Sequence, residues 1–374
     1  MDSSLDSSLG LRSSPAEMAL WQTTPALLHA GFGCDPDAVV AALVTGPGGR
    51  FYALDAHGGG ETALALVSRG ARTVVVAPLL DPEGAASVLA LKVAALRRLD
   101  REAYLRFVGL RRTSRAGRAA TYSSLRMSLA PLHQRFWDRH EDMLTRGLFV
   151  NEADVAQGRL LRSLLRTHLP KPAYRTLLYA ARPDRIAAFD QFIAGRKFWE
   201  NALRMCAVRG QFRICAEGEA SPLTCTEPVA ALRRLVEAGP ADCPVWVRAF
   251  TNDAGVEAAL PWHLSRIGYE ALRRNIDALQ VELDPAAPLV SGSEHFDAFD
   301  LSRARSVMTG EQYARVLGAV VGQARPGARL LVSAHETAGL DLDSTLVHDP
   351  GLEAYVTGCD RAPGGSPRQV LRRV

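Results

Sequence analysis

The chain predicts an α/β protein, a doubly wound, Rossmann-like sheet interrupted by a large helical insert. Three observations carry that expectation. Two early runs, Phe51–Leu54 and Thr73–Ala77, are short, apolar and separated by a helix-like stretch, as strands of a buried parallel sheet are. A late pair, Phe296–Leu301 and Arg329–Ala334, flanks a helical pattern at Gly310–Gln323 and a Pro326-Gly327 turn. Between them, residues 100–215 repeat apolar positions at three- and four-residue spacing and offer no convincing strand.

In order along the chain, residues 1–15 (MDSSLDSSLGLRSSP) are acidic, Ser-rich and without an apolar core. They predict a disordered tail and not a secretory signal. Residues 16–45 are helical in pattern, with a break at Gly31–Pro36. Phe51–Leu54 is the first strand, and Thr62–Ser68 continues as a helix closed by Gly70. Thr73–Ala77 suits a strand buried on both faces. Asp81-Pro82-Glu83 opens the next helix with a capping Asp, a first-turn Pro and an acidic residue at the positive helix end. That helix reaches about Leu99. The domain expectation is therefore a first sheet part at 16–99, a helical insert or lid at 100–215, a second sheet part at 216–360 and a loose tail at 361–374. In the second part, Pro244–Phe250 is a strand or a loop, Pro261–Leu279 a helix and Leu279–Leu283 a short strand.

Composition narrows the function classes. At 374 residues with 47% apolar content, the chain can bury one large core or two ordinary ones. A net charge of +4 makes no case for a nucleic-acid partner. The cations are nearly all Arg; the only lysines are Lys92, Lys171 and Lys197. The six cysteines (Cys34, Cys206, Cys215, Cys225, Cys243 and Cys359) form no CxxC pair, so free thiols in a reducing cytoplasm are expected and a zinc site is not. No apolar run approaches the roughly 18 residues that span a bilayer. There is no Gly-x-Ser-x-Gly, no phosphate loop, and His335-Glu336 lacks the second His of a zinc motif.

The candidate binding residues gather where strands end. Asp55, His57, Gly58, Gly59, Gly60 and Glu61 form a strand end, a glycine turn and a helix start. Glycines let a backbone approach a ligand closely, and a helix N-terminus offers free N–H groups. A flexible surface loop is the competing reading. Asp55 can accept from a hydroxyl or an ammonium. Asp81 is the one carboxylate near the end of the second strand, where nucleoside-binding sheets hold ribose hydroxyls, although capping explains it equally well. Asp300 and Ser302 end a late strand and face the same crevice, or Ser302 caps the next helix. In the insert, Tyr122, Arg126, His133, Trp137 and His140 share one helical stripe, with Asp138 beside it. That stripe is too polar for core and reads as a site wall or a solvated face. The arginines at 97–118 read as a solvated face, or as a surface for acidic lipids.

A family resemblance adds to this reading. Leu89–Gly109, Tyr122–Arg126, Arg135–Asp138, Gly147–Phe149, Pro261–Ile276 and Phe296–Pro326, taken in order, resemble betaine-lipid-type 3-amino-3-carboxypropyl transferases over roughly residues 18–335. The resemblance implies a class I S-adenosylmethionine (SAM) fold with SAM as substrate. It also implies nucleophilic attack at Cγ of the methionine part, with release of 5′-methylthioadenosine. The chain departs from the family pattern at Pro78-Leu79, where an acid usually follows strand two. Further departures are Arg303 after Ser302, the N-terminal Trp21-Gln22, and the glycine turn. These departures point away from diacylglycerol, the ordinary acceptor. Related SAM enzymes of natural-product clusters close SAM on itself to azetidine-2-carboxylate, and by that resemblance the same closure is the reaction expected here. Transfer to a lipid or small-molecule hydroxyl, with peripheral membrane contact, is the alternative. Methyl transfer and non-catalytic SAM binding are more distant ones. In the cyclase reading Tyr122 or Trp137 faces the sulfonium and Arg126 holds the carboxylate.

Overall fold

The computed structural model describes residues 36–44, 46–55, 59–79, 81–149, 163–208, 228–238, 260–286, 288–289, 295–302, 304, 307–333, 345–359 and 368–374. The expectations for residues 1–35, for His57 and Gly58, and for Pro244–Phe250 lie outside these residues.

Seven strands form one sheet. They are β1 (Arg50–Asp55), β2 (Thr73–Pro78), β3 (Leu279–Val281), β4 (Phe296–Asp300), β5 (Ala324–Ser333), β6 (Leu346–His348) and β7 (Arg368–Arg373). Their order is β3-β2-β1-β4-β5-β7-β6. The first five are parallel, while β7 runs antiparallel to both β5 and β6. Strand order reverses between β1 and β4, so the carboxyl ends of those two strands flank the switch point at which open α/β sheets generally bind ligands.

Alternation along the strands sorts side chains into two cores. Phe51, Val74, Val76, Ala298, Leu331 and Val370 point to one face. They meet α1 (Pro36–Leu43), α2 (Glu61–Ser68), α3 (Pro82–Arg98) and α12 (Arg266–Asn275). Tyr52, Val75, Phe299, Leu330 and Val332 point to the other face and meet α13 (Gly310–Gln323). Helices thus cover both faces, as a buried parallel sheet requires.

Helix starts follow their caps. The Asp81 carboxylate accepts from Gly84 N at 3.1 Å and Pro82 opens α3. Thr309 and Gln312 form a capping box on α13, whose observed bounds are those expected. The expected helix over 261–279 is divided. A tight turn at Trp262–Leu264 precedes α12, because Ser265 caps at that point and accepts from Gly268 N.

The helical region separates into two packed groups. In the first, α4 (Arg101–Val108), α5 (Arg115–Arg126), α6 (Pro131–Arg139) and α7 (Glu141–Arg146) bury Tyr104, Leu125, Trp137 and Phe149 in the same core as α2 and α3. In the second, α8 (Lys171–Tyr179), α9 (Arg182–Phe192), α10 (Lys197–Val208) and α11 (Pro228–Ala238) share a core of their own around Phe189, Trp199 and Leu232. Helix α11 lies beyond the expected boundary at 215.

Three further expectations are corrected. The single stripe through 122–140 is two helices: the first ends at Arg126, and Ala130-Pro131 starts the next. The Pro326-Gly327 turn lies within β5, where the register shifts between the Phe296 and Ala298 pairings. The tail at 361–374 contains β7, inserted between β5 and β6; α14 (Pro350–Cys359) precedes it. Among the described residues no helix is long and apolar enough to cross a membrane.

Candidate functional site

The glycine turn stands at the order reversal. Gly60 has φ +70, the left-handed region that glycine enters without cost, and α2 starts at the next residue. The Gly60 amide donates to the Asp55 carboxylate at 2.7 Å. A Cβ on Gly60 would lie 2.6 Å from Leu89 Cδ1, so α3 closes over the turn. Asp55 therefore shapes the turn from the end of β1.

Across the reversal, Asp300 ends β4 and is buried. Its carboxylate accepts from the Ser302 amide at 3.1 Å and from Ser302 Oγ at 2.7 Å. Asp300 pairs in register with Ala53 of β1. The structure thus brings Asp55, Gly59, Gly60, Asp300 and Ser302 to one end of two adjacent strands. Asp81 follows β2 at the same end, with φ 43, the only non-glycine residue of positive φ among those described. Its carboxylate caps α3, as the capping reading expects.

Glu61 turns inward. It is buried, with the Lys92 ammonium 2.5 Å from one carboxylate oxygen and His263 Nε2 2.9 Å from the other. Burial alone raises a carboxyl pKa, but Lys92 and then His263 outweigh it and bring Glu61 down to about 2. Lys92 also donates to the Gly59 carbonyl at 2.6 Å and lies 4.8 Å from the centre of the Phe149 ring. The turn that carries His263 is fixed by Asp37, which accepts from the Trp262 amide, and by Arg69 stacked 4.4 Å from the Trp262 ring centre. His263 Nδ1 and the Tyr104 hydroxyl are buried without a hydrogen-bond partner.

Lys92 and His263 were not expected from sequence as site residues. The signal for Lys92 was a lone lysine on the apolar stripe Leu89-Lys92-Leu96 of a helix. No comparable pattern marks His263.

The second cluster lies on α5 and α6. Folding these helices against each other brings Tyr122 and Arg126 onto Asp138. The Tyr122 hydroxyl donates to Asp138 at 2.9 Å. Arg126 grips the same carboxylate with two bonds, at 3.0 and 2.7 Å. Burial first, and then the Asp138 carboxylate, push the Tyr122 phenol up to about 12. The Arg126 fork holds Asp138 below the usual carboxylate range.

Trp137 is 0% exposed and its indole donates to Ser87 O at 2.9 Å, so it is core and presents no face to a ligand. His133 Nδ1 lies 2.9 Å from Ser87 Oγ, and burial lowers the His133 pKa. The arginine-rich face is not uniformly solvated. Arg118 is buried and donates to the Arg106 and Thr145 carbonyls, and Arg101 donates to Leu264 O.

No protein-family model, curated protein or solved structure matches this chain.

Proposed function

We propose that the protein binds SAM at the β1–β4 crevice, directs attack at Cγ of the methionine part and releases 5′-methylthioadenosine. The reaction favoured is intramolecular closure to azetidine-2-carboxylate. The observation that carries SAM binding is the glycine turn at the order reversal, flanked by the carboxylates of Asp55 and Asp300. A strand order of 3-2-1-4-5-7-6 with an antiparallel seventh strand is compatible with the class I SAM fold that the resemblance implies. The choice of Cγ over methyl transfer rests on that resemblance.

In the closure, the lone pair of the α-amine forms the N–Cγ bond. The Cγ–S bond breaks and its electron pair neutralises the sulfonium. One proton leaves the original ammonium. The protein's task is to fold the methionine part so that nitrogen lies behind the C–S bond, a positioning effect on the order of 7–11 kcal/mol. Trp137 is fully buried and Tyr122 is 8% exposed, so of the two only Tyr122 keeps any surface with which to meet the sulfonium. The fork of Arg126 is on Asp138, so a substrate carboxylate reaches it by exchange, one carboxylate for another, with no net change of charge there.

Transfer to an acceptor is the second reading, favoured by the corner between α5 and α6. Met127 there is 80% exposed and Leu132 41% exposed, next to Arg126, a combination suited to an apolar or lipid acceptor.

Incubation of the purified protein with SAM alone, followed by mass spectrometry, separates the readings. Methylthioadenosine with azetidine-2-carboxylate, above a control without protein, is the expected result. Methylthioadenosine only when a hydroxyl acceptor is added would replace the cyclase with the transferase. S-adenosylhomocysteine as by-product would overturn Cγ chemistry altogether.

A further inference from the structure

We propose that Lys92 is a positioning residue that latches the glycine turn from behind, through Glu61 and the Gly59 carbonyl. The proposal rests on the reading that this turn receives SAM. Lys92 comes from the middle of α3 and is 0% exposed. Its ammonium makes two short bonds, 2.6 Å to the Gly59 carbonyl and 2.5 Å to the Glu61 carboxylate. These partners are the residues on either side of Gly60, whose left-handed conformation bends the chain into α2. One helical turn earlier, Leu89 of the same helix lies against Gly60. Helix α3 therefore grips three consecutive residues, and the Gly60 amide is held from the front by Asp55.

Stability alone is a poor reason for this arrangement. A buried ion pair costs much of its Coulomb energy in desolvation, and an apolar pair of similar volume is often as stable. An ammonium, unlike an apolar group, can pull a specific carbonyl inward and hold the backbone amides around it in one orientation. A ligand that approaches a glycine turn closely needs that fixed backbone. His263 completes the latch by occupying the second Glu61 oxygen, so Glu61 is held from both sides.

The test compares the wild type, Lys92→Met, and the double variant Lys92→Met with Glu61→Gln. Methionine matches the length of lysine and suits the Phe149 face. The single variant strands the Glu61 charge and is expected to lose stability. The double variant removes both charges and is expected to melt within a few degrees of wild type. Two readouts then apply. Hydrogen–deuterium exchange in the ligand-free protein should accelerate at least tenfold at Gly60 and Glu61 in the double variant, with exchange in α13 unchanged. SAM affinity by calorimetry should fall at least tenfold.

A folded double variant with wild-type exchange at the turn would overturn the latch. So would faster exchange with unchanged SAM affinity, or a double variant as unstable as the single one, which would make Lys92 a stability residue. If the wild type binds no SAM, the proposed function falls, and the exchange readout decides the latch by itself.

Discussion

At the residue scale, Glu61 makes the sharpest pH prediction. Its carboxyl titrates at about 2 in the fold, below an ordinary 4.5. A depressed carboxylate contributes stability that is fully present above the ordinary pKa and is lost as pH falls toward the folded one. Glu61→Gln leaves the Lys92 ammonium buried without its counter-charge, a change that typically costs about 3–5 kcal/mol near neutral pH. The difference in melting temperature between wild type and Glu61→Gln should therefore be largest above pH 5 and shrink steadily between pH 4.5 and 2. Thermal melts across that range check it, and a constant gap would mean that Glu61 is not the charged partner. The α5–α6 cluster makes a second prediction. If a substrate carboxylate exchanges onto Arg126, then Arg126→Gln loses a charge-assisted contact of about 1.5–3 kcal/mol. KM for SAM in methylthioadenosine release should rise about tenfold or more. Asp138→Asn weakens the competitor for the fork and should lower KM instead. Opposite movements of KM in the two variants are the signature of exchange; parallel losses would make the pair a structural clamp.

At the element scale, close approach decides which glycines are indispensable. Gly268 opens the first turn of α12, and a Cβ there would lie 1.8 Å from the Trp262 carbonyl oxygen. That contact is with backbone, so the whole Trp262–Leu264 turn must shift, carrying His263 away from Glu61. Gly268→Ala should destabilise the protein by about 1–3 kcal/mol, as overpacking does. It should also speed amide exchange around Glu61, 207 positions away in sequence. An unchanged melting temperature would show that the turn yields freely. These elements also show what was legible in the sequence. Helix α13 was legible to the residue because its boundaries are local: Thr309 and Gln312 cap its start. The early strands were legible because burial on both faces demands unbroken apolar runs. The grip of α3 on the glycine turn was not, because Lys92 and Glu61 lie 31 residues apart and only tertiary packing joins them. Trp137 was misplaced because periodicity was carried through Pro131, which starts a new helix and rotates its faces. Of the candidate site, the placement of the sheet-end residues was legible from their positions between strand and helix. The roles of Tyr122, Arg126 and Asp138 were not, since hydrogen bonding among them leaves no trace in spacing.

At the scale of the whole molecule, the sheet is closed by its last strand. β7 lies between β5 and β6 and is antiparallel to both, so β6 joins the sheet only through it. The sequence hides this strand because RQVLRR carries an arginine at three of its six positions, and among its described side chains only Val370 and Leu371 are deeply buried, one into each core. Those two residues tie the two faces of the sheet together at its far edge. Removing residues 361–374 strips β5 of its partner on the side away from β4 and leaves an open, apolar-flanked strand edge, a template for pairing with other chains. The truncated protein should lose β6 as well, melt well below the full chain and aggregate on concentration, as light scattering and size-exclusion chromatography would show. The carboxyl ends of β1 and β4 lie on the other side of β5, so a ligand there binds the native sheet and stabilises it by mass action. If SAM binds there as proposed, then in the full chain SAM at about one hundred times its Kd should contribute about 2.7 kcal/mol. If closure by β7 is what keeps the crevice strands in place, SAM should raise the melting temperature of the full chain and leave the truncated one unrescued. Rescue of the truncated chain by SAM would instead show that β1, β4 and the glycine turn form a binding unit that does not depend on the closing strand.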